Sequence, residues 1–415
     1  MRYRIMTLAI FLILFLVIDA YFYQGVLSAS RNWSPLWKHT LRIGFWIPTV
    51  FAVLSVTWFV FGNPYTISAS TRNFIITGVV AAYLSKVLGI VILLGEDLYR
   101  GVRWVGSYFG MGPKEALPGA VIPRSQFLSQ IAVSTAALPL GAFAYGIISG
   151  AHDYRIRRVT VSLKNLPKSF DGIRIGQISD IHSGSFWNKT AVKGGVELLL
   201  GEKPDMIFFT GDLVNNQAGE VRDYLPIFEK VKAPMGVFSV TGNHDYGDYH
   251  KWESREQKAS NFRDLVQAHK TMGYDILMNE NRIITLGGEK IAILGNENWG
   301  VRFSKYGKLD QAYQGSEEAA VKLLLSHDPT HWDAEVRPKY PDIDMMFAGH
   351  THGFQFGVEI GDFKWSPVQY VYKQWADLHR EGDQYLYVNR GFGYIGYPGR
   401  VGIPPEITVF ELKRG

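Results

Sequence analysis

No cysteine occurs anywhere in the 415 residues. Disulfides, thiolate metal sites and cysteine nucleophiles are therefore excluded. The absence does not fix a compartment, because a cysteine-free chain can stand on either side of a membrane. Internal repeats and low-complexity tracts are also lacking, and no Lys/Arg run is interleaved with aromatics. With a formal charge of only +5, nucleic acid is not an expected partner. Charge is scarce in one region in particular. Residues 1–150 are largely apolar, whereas 151–415 have the mixed composition of a soluble enzyme. The chain is longer than one ordinary domain, and the two parts are read as a transmembrane region followed by a catalytic domain.

A bilayer crossing needs about 20 mostly apolar residues. Four stretches qualify, at about 5–23, 41–61, 74–94 and 128–148. Arg2 and Arg4 give the first a basic start, as in a leader peptide. However, Asp19, Tyr21, Phe22 and Tyr23 occupy the place where cleavage needs small residues, so this stretch reads as an anchor. Tyr21, Trp46 and Trp104 suit the membrane interface. Pro48 and Pro139 are tolerated where neighbouring helices cover the freed carbonyls.

Four crossings put both ends on one side. That side carries Arg2, Arg4, Arg72, Arg155, Arg157 and Arg158; the other carries Arg31, Lys38, Arg42, Arg100, Arg103, Lys114 and Arg124. Six against seven does not orient the chain, and a cytoplasmic catalytic domain is only the working expectation. Asp19 and Lys86 fall inside spans that run the same way, so they are expected either to pair in the bundle or to snorkel separately. The segment 96–126 is read as a connecting loop, with lying on the membrane surface as the alternative. Arg155, Arg157 and Arg158, just past the last span, suit either anionic headgroups or a solvated flank.

After residue 150, apolar strands alternate with helical stretches near 189–200, 222–231 and 255–272. A strand-rich part at 281–294 turns at Gly287-Gly288. This alternation predicts a layered α/β domain with its ligands at strand ends.

Five short segments follow apolar runs: Ser-Asp-Ile-His (Asp180, His182), Thr-Gly-Asp (Gly211, Asp212), Gly-Asn-His-Asp (Gly242 to Asp245), Ser-His-Asp (His327) and Gly-His-Thr-His (His350, His352). They hold five of the eleven histidines. The other six, His39, His152, His250, His269, His331 and His379, have no comparable setting and read as surface or structural. The aromatics around His250 (Tyr246, Tyr249, Trp252) are read as structural too, with a pocket wall or a lipid contact as the functional alternative. Asp-x-His and His-x-His set two ligands on one side of an extended or turning backbone, and Gly211 and Gly242 permit tight turns. Carboxylate and imidazole without thiolate suit divalent metals acting on phosphate. Asp212 can bridge two cations, and Asn243 offers a neutral oxygen.

These blocks resemble the calcineurin-like metallophosphoesterase superfamily, in order and rough spacing, over about residues 157–412. The resemblance implies an α/β fold, a four-layer double β-sheet sandwich flanked by helices. It implies two divalent ions (Mn, Fe, Zn, Co or Ni), one held by Asp180, His182, Asp212 and His352, the other by Asp212, Asn243, His327 and His350. His244 would contact the substrate phosphate and protonate the leaving oxygen, Asp245 would orient His244, and a metal-bridging hydroxide would attack. One departure is the run Leu213-Val214-Asn215-Asn216, where many members carry an acidic residue or an Asp-Arg pair. The closing segment, with Gly391-Phe392-Gly393, Pro398, Arg400 and Pro405-Glu406-Ile407, resembles the membrane-associated branch. Some members of that branch act on phospholipids or on the pyrophosphate of a UDP-linked acylated sugar. Arg400 would bind substrate phosphate or pair with Glu406. The expected function is thus a membrane-anchored phosphohydrolase of a phosphate-containing, lipid-linked substrate. The alternatives are a hydrolase of a soluble phosphodiester such as a cyclic nucleotide, a silent membrane scaffold or sensor, and a transporter.

Overall fold

The computed structural model describes residues 2–109 and 124–415 and divides into two compact units, Met1–Tyr145 and Gly146–Gly415. The first unit is helical: α1 (Arg2–Ala29), α2 (Pro35–Phe61), α3 (Ala69–Tyr108) and α4 (Arg124–Ile148), the last running on into the second unit. Each is long and apolar enough to cross a membrane. The helix α3 runs further than expected. Residues 96–108, read as loop, continue it, while 110–123, with Lys114, lie outside the described residues.

Asp19 and Lys86 meet. The Lys86 ammonium pairs with the Asp19 carboxylate, which also accepts from Thr49 Oγ1 at 2.8 Å and Tyr83 OH at 3.0 Å. All four side chains are buried. A lone charge inside a bundle is costly. Here, one carboxylate joins α1, α2 and α3 through compensating donors.

The second unit holds β1 (Arg155–Leu163), β2 (Arg174–Ile178), α5 (Lys189–Gly201), β3 (Met206–Phe209), α6 (Leu225–Phe228), β4 (Val237–Ser239), α7 (Arg255–Met272), β5 (Asp275–Ile276), β6 (Glu280–Leu286), β7 (Glu289–Gly295), β8 (Lys322–Leu325), β9 (Met345–Ala348), β10 (Val358–Ile360), β11 (Phe363–Trp365), β12 (Asp377–Glu381), β13 (Gln384–Val388) and β14 (Glu406–Arg414). One sheet runs β1-β14-β2-β3-β4-β5, a second β12-β13-β9-β8-β7-β6, and β10-β11 is a separate hairpin. The hairpin β6–β7 turns at Gly287-Gly288 as expected. The helix expected at 222–231 is only the single turn α6, with a 3₁₀ turn at Ala218–Val221 before it. Pro226 lacks an N–H and suits a helix start, not an interior.

Side chains alternate across a strand with period two, and the core follows. Phe208 and Ile175 of the first sheet pack against Ile293, Leu323 and Phe347 of the second. Ile207 and Phe209 point the other way, to Val196 and Leu199 of α5 and Leu265 of α7. On the far side of the second sheet, Leu294, Leu324 and Met346 meet Trp332 and Val336. Four layers result, helices outside and two sheets within.

Arg155, Arg157 and Arg158 lie on β1 and do not form a free basic patch. Arg155 pairs with Asp153, Arg158 with Glu202, and Arg157 with Glu359 and Glu406. Each of the three therefore has a carboxylate partner within the same unit, while Arg155 and Arg158 remain largely exposed.

Candidate metal centre

The strands β2, β3 and β4 are parallel neighbours in one sheet, and β8 and β9 in the other. The five motif segments leave the C-terminal ends of these strands, so both sheets deliver them to one edge. Asp180 N donates to Gly211 O at 2.9 Å, and His182 N to Asp212 O at 3.1 Å. The Asp180 carboxylate accepts from His350 N at 2.9 Å, joining one sheet's loop to the other's.

The backbone there is not extended. Asp180, His182, Asp212, His350 and His352 all have positive φ, between 48° and 73°. Left-handed backbone at non-glycine residues costs of order 1–3 kcal/mol each and persists where the surroundings enforce it. The side chains of Asp180 and His182 meet through this turning backbone, not through strand alternation. Gly211, at φ 97°, needs its freedom, and a Cβ there would stand 2.6 Å from Gly242 N. Gly242 is needed for space instead, because a Cβ would collide with the Asp212 carboxylate.

Two groups of donors result: Asp180, His182 and His352, and Asp212, His327 and His350, with the donor atoms of each within 4.8 Å of one another. Asp212 Oδ2 lies 3.4 Å from His182 Nε2 and 3.2 Å from His327 Nε2, between the groups. Asn243 lines the same pocket, and its Oδ1 is buried without a hydrogen-bond partner. His327 Nδ1 approaches Thr210 O at 2.7 Å, and His350 Nε2 the Tyr372 hydroxyl at 2.8 Å. A ring nitrogen so engaged leaves the other for a metal.

The electrostatics agree with a cation site. Burial opposes charge on Asp180 and Asp212, yet both stay below the usual carboxylate range, because His352 and His327 lie beside Asp180 and His327 and His244 beside Asp212. Burial also opposes charge on His327, but Asp212 and Asp180 raise it to about 10. Two buried carboxylates that need positive charge, converging imidazole nitrogens (His182 Nε2 to His352 Nε2, 3.0 Å) and an orphaned amide oxygen fit divalent ions.

Two expected roles are redistributed. His244 lines the pocket, but its Nδ1 meets the main-chain carbonyl of Asn215 at 2.8 Å, not Asp245. The Asp245 carboxylate, fully buried, accepts from the N–H groups of Asp212, Leu213 and Gly242 at 2.9–3.0 Å. It braces the loops that carry the metal-site residues, and burial together with nearby Asp212 pushes its pKa to about 7. Arg400, expected to reach a phosphate or to pair with Glu406, is fully buried among carbonyls. Its guanidinium donates to the carbonyls of Gly393 (2.9 Å) and Arg390 (2.8 Å) and approaches His352 Nδ1 at 3.3 Å. No face is left for a substrate, and Glu406 pairs with Arg390 at 2.8 Å.

The pocket over this centre has a volume of about 530 Å³. Its walls include Tyr249, Phe303, Phe354, Tyr372, Ile395 and Tyr397, and no Lys or Arg lines it among the described residues. Tyr249, in the aromatic run near His250, receives a hydrogen bond from Asn243 Nδ2 at 2.9 Å. Tyr246 instead stacks on Tyr306 inside the fold. The sequence offered no signal for Phe303 or Tyr372, which come from loops remote from every motif. The other buried histidines are structural: His269 meets Ser239 Oγ and His331 meets Ser326 Oγ, each at 2.9 Å.

Residues 1–151 match the family model "Probable Calcineurin-like phosphoesterase, transmembrane domain", and residues 173–354 match "Calcineurin-like phosphoesterase". The chain is similar to the metallophosphoesterase YkuE of Bacillus subtilis, at 29% identity over 70% of this chain and 97% of the relative. It is also similar to a transmembrane protein with metallophosphoesterase domain from Danio rerio, at 26% identity over 65% of this chain and 60% of that one. A metallophosphoesterase of Helicobacter pylori is 28% identical over 66% of this chain and 68% of its own length.

Proposed function

Because this chain is a calcineurin-like metallophosphoesterase with a transmembrane domain, and hence a metal-dependent hydrolase, we propose that it cleaves the phosphoester of a lipid-linked substrate. The carrying observation is the pocket wall, which is aromatic and aliphatic and has no basic residue among the described residues. Such a wall suits an apolar group beside the reacting phosphate. The cation that acts on Tyr372 of this wall, Arg302, is not itself a lining residue, and a single phosphate is therefore the preferred substrate group. The membrane helices of the same chain support a substrate held in the bilayer.

In this reading, Asp180, His182, Asp212 and His352 hold one divalent ion, and Asp212, Asn243, His327 and His350 the other. Bound there, the ions supply Lewis acidity toward phosphate oxygens and activate water. His244, fixed through Nδ1 by the Asn215 carbonyl, uses its other ring nitrogen to bind the phosphate and protonate the leaving oxygen. Tyr249 and Phe303 flank the substrate and exclude water.

The test is hydrolysis by the purified full chain in lipid nanodiscs with added manganese. A chromogenic phosphodiester, a phospholipid, a UDP-linked acylated sugar and a cyclic nucleotide are compared. Chelator-sensitive turnover with the highest kcat/KM on the phospholipid supports the reading. Preference for the cyclic nucleotide or the sugar pyrophosphate overturns the substrate class, and no turnover in a metal-loaded protein overturns the whole.

A further inference from the structure

The hairpin β10–β11 is amphipathic the wrong way round for a surface hairpin. Residues directly opposite in an antiparallel pair share a face. Val358 pairs with Trp365 and Ile360 with Phe363, so one face is wholly apolar, while the Glu359–Lys364 pair forms the other. The charged face is turned inward. Glu359 accepts from buried Arg390 and from Arg157, both at 2.6 Å, and Lys364 donates to Asp377 at 2.6 Å. The apolar face is turned out, with Ile360 73% and Phe363 61% exposed, and Tyr370 nearby in sequence is 77% exposed. Ordinary antiparallel sheets keep the apolar face on the core. Contiguous exposed apolar surface on a soluble unit marks something that covers it.

We propose that the cover is the lipid bilayer: the hairpin tip sits in the headgroup–acyl boundary and holds the pocket at the membrane surface. Three observations select lipid. The four membrane-crossing helices belong to the same chain, and the catalytic unit starts at Gly146, covalently next to them. Within that unit, the hairpin's root bonds to the segment that receives Gly146: Gly357 N donates to Val401 O at 2.9 Å, and Arg400 N to Gly146 O at 3.1 Å. The tip side chains, Ile and Phe with a Tyr close by, are of the kind that partitions into the interface. The same strand root continues into the pocket wall through Phe354 and Gln355. A hairpin seated in lipid therefore places that wall beside the substrates a bilayer contains.

The absence of cysteine makes the test direct, since one introduced thiol is the only label site. Phe363→Cys and, as a control, Glu318→Cys at the exposed turn before β8 are made in the full chain and labelled with a nitrobenzoxadiazole dye. Each is reconstituted in phosphatidylcholine nanodiscs with or without doxyl-labelled lipid. The proposal expects blue-shifted emission at 363 and loss of its intensity with doxyl lipid, and neither at 318. Emission at 363 unaffected by doxyl lipid overturns it. If that emission is nonetheless blue-shifted, protein covers the face, and if it is not, the face stands in water. Neither result depends on which substrate the enzyme takes.

Discussion

His244 is held by a backbone oxygen: its Nδ1 lies 2.8 Å from the carbonyl of Asn215. A carbonyl cannot be removed by changing a side chain, so the imidazole's orientation is built into the loop after β3. His244→Gln should lower kcat by about 10²–10⁴ with metal content unchanged, measured by steady-state kinetics and elemental analysis. Asn215→Ala should keep His244 placed and leave the pH profile of kcat unshifted.

Asp245 predicts a different loss. Its carboxylate accepts backbone N–H groups from the loops after β3 and β4. Asp245→Asn turns an amide N–H₂ toward those donors, and a buried unsatisfied group costs about 1–3 kcal/mol. The variant should melt at lower temperature and bind less metal, whereas a role confined to His244 would change kcat alone.

Asp212 stands between the two donor groups, whereas Asn243 lines the same pocket and, in the proposed reading, serves only one ion. Metal analysis should therefore find both ions depleted in Asp212→Ala but one retained in Asn243→Ala. Equal loss in both variants would contradict the shared carboxylate.

The Asp19–Lys86 pair should behave as a unit. Removing one partner of a buried pair leaves an unpaired charge, at a cost of roughly 3–5 kcal/mol. Asp19→Asn and Lys86→Met should each destabilise the bundle, and the double variant by less than their sum, in detergent unfolding titrations. Additive losses would mean the two charges act separately.

His269 sets a pH dependence outside the metal site. Burial lowers its pKa from 6.5 to about 3. The folded protein thus keeps it neutral while the unfolded chain takes up a proton below about pH 6.5. Stability from this group is complete above that pH and falls toward about pH 3, at up to about 1.4 kcal/mol per unit. Melting temperature should decline less steeply with acid in His269→Gln.

The sequence by itself determined the apolar first third, the five metal-site segments and the short apolar runs that deliver them. Each is written in local residue choice: the length of an apolar run, or a glycine before a carboxylate. Asp19 and Lys86 were also legible as intramembrane charges, because a charge is conspicuous against an apolar run, but the choice between pairing and separate snorkelling was not. Tertiary structure decided what depends on distant segments meeting. It set a main-chain oxygen at 215 beside the ring of His244, turned Asp245 to backbone donors, and buried Arg400 among carbonyls. It also paired Arg157 of β1 with acids of β10 and β14 and turned the apolar face of β10–β11 outward. Main-chain atoms look alike in every sequence, and a charge shows its partner only when the fold brings one within about 3 Å. Those roles could therefore be read only after the chain had closed on itself.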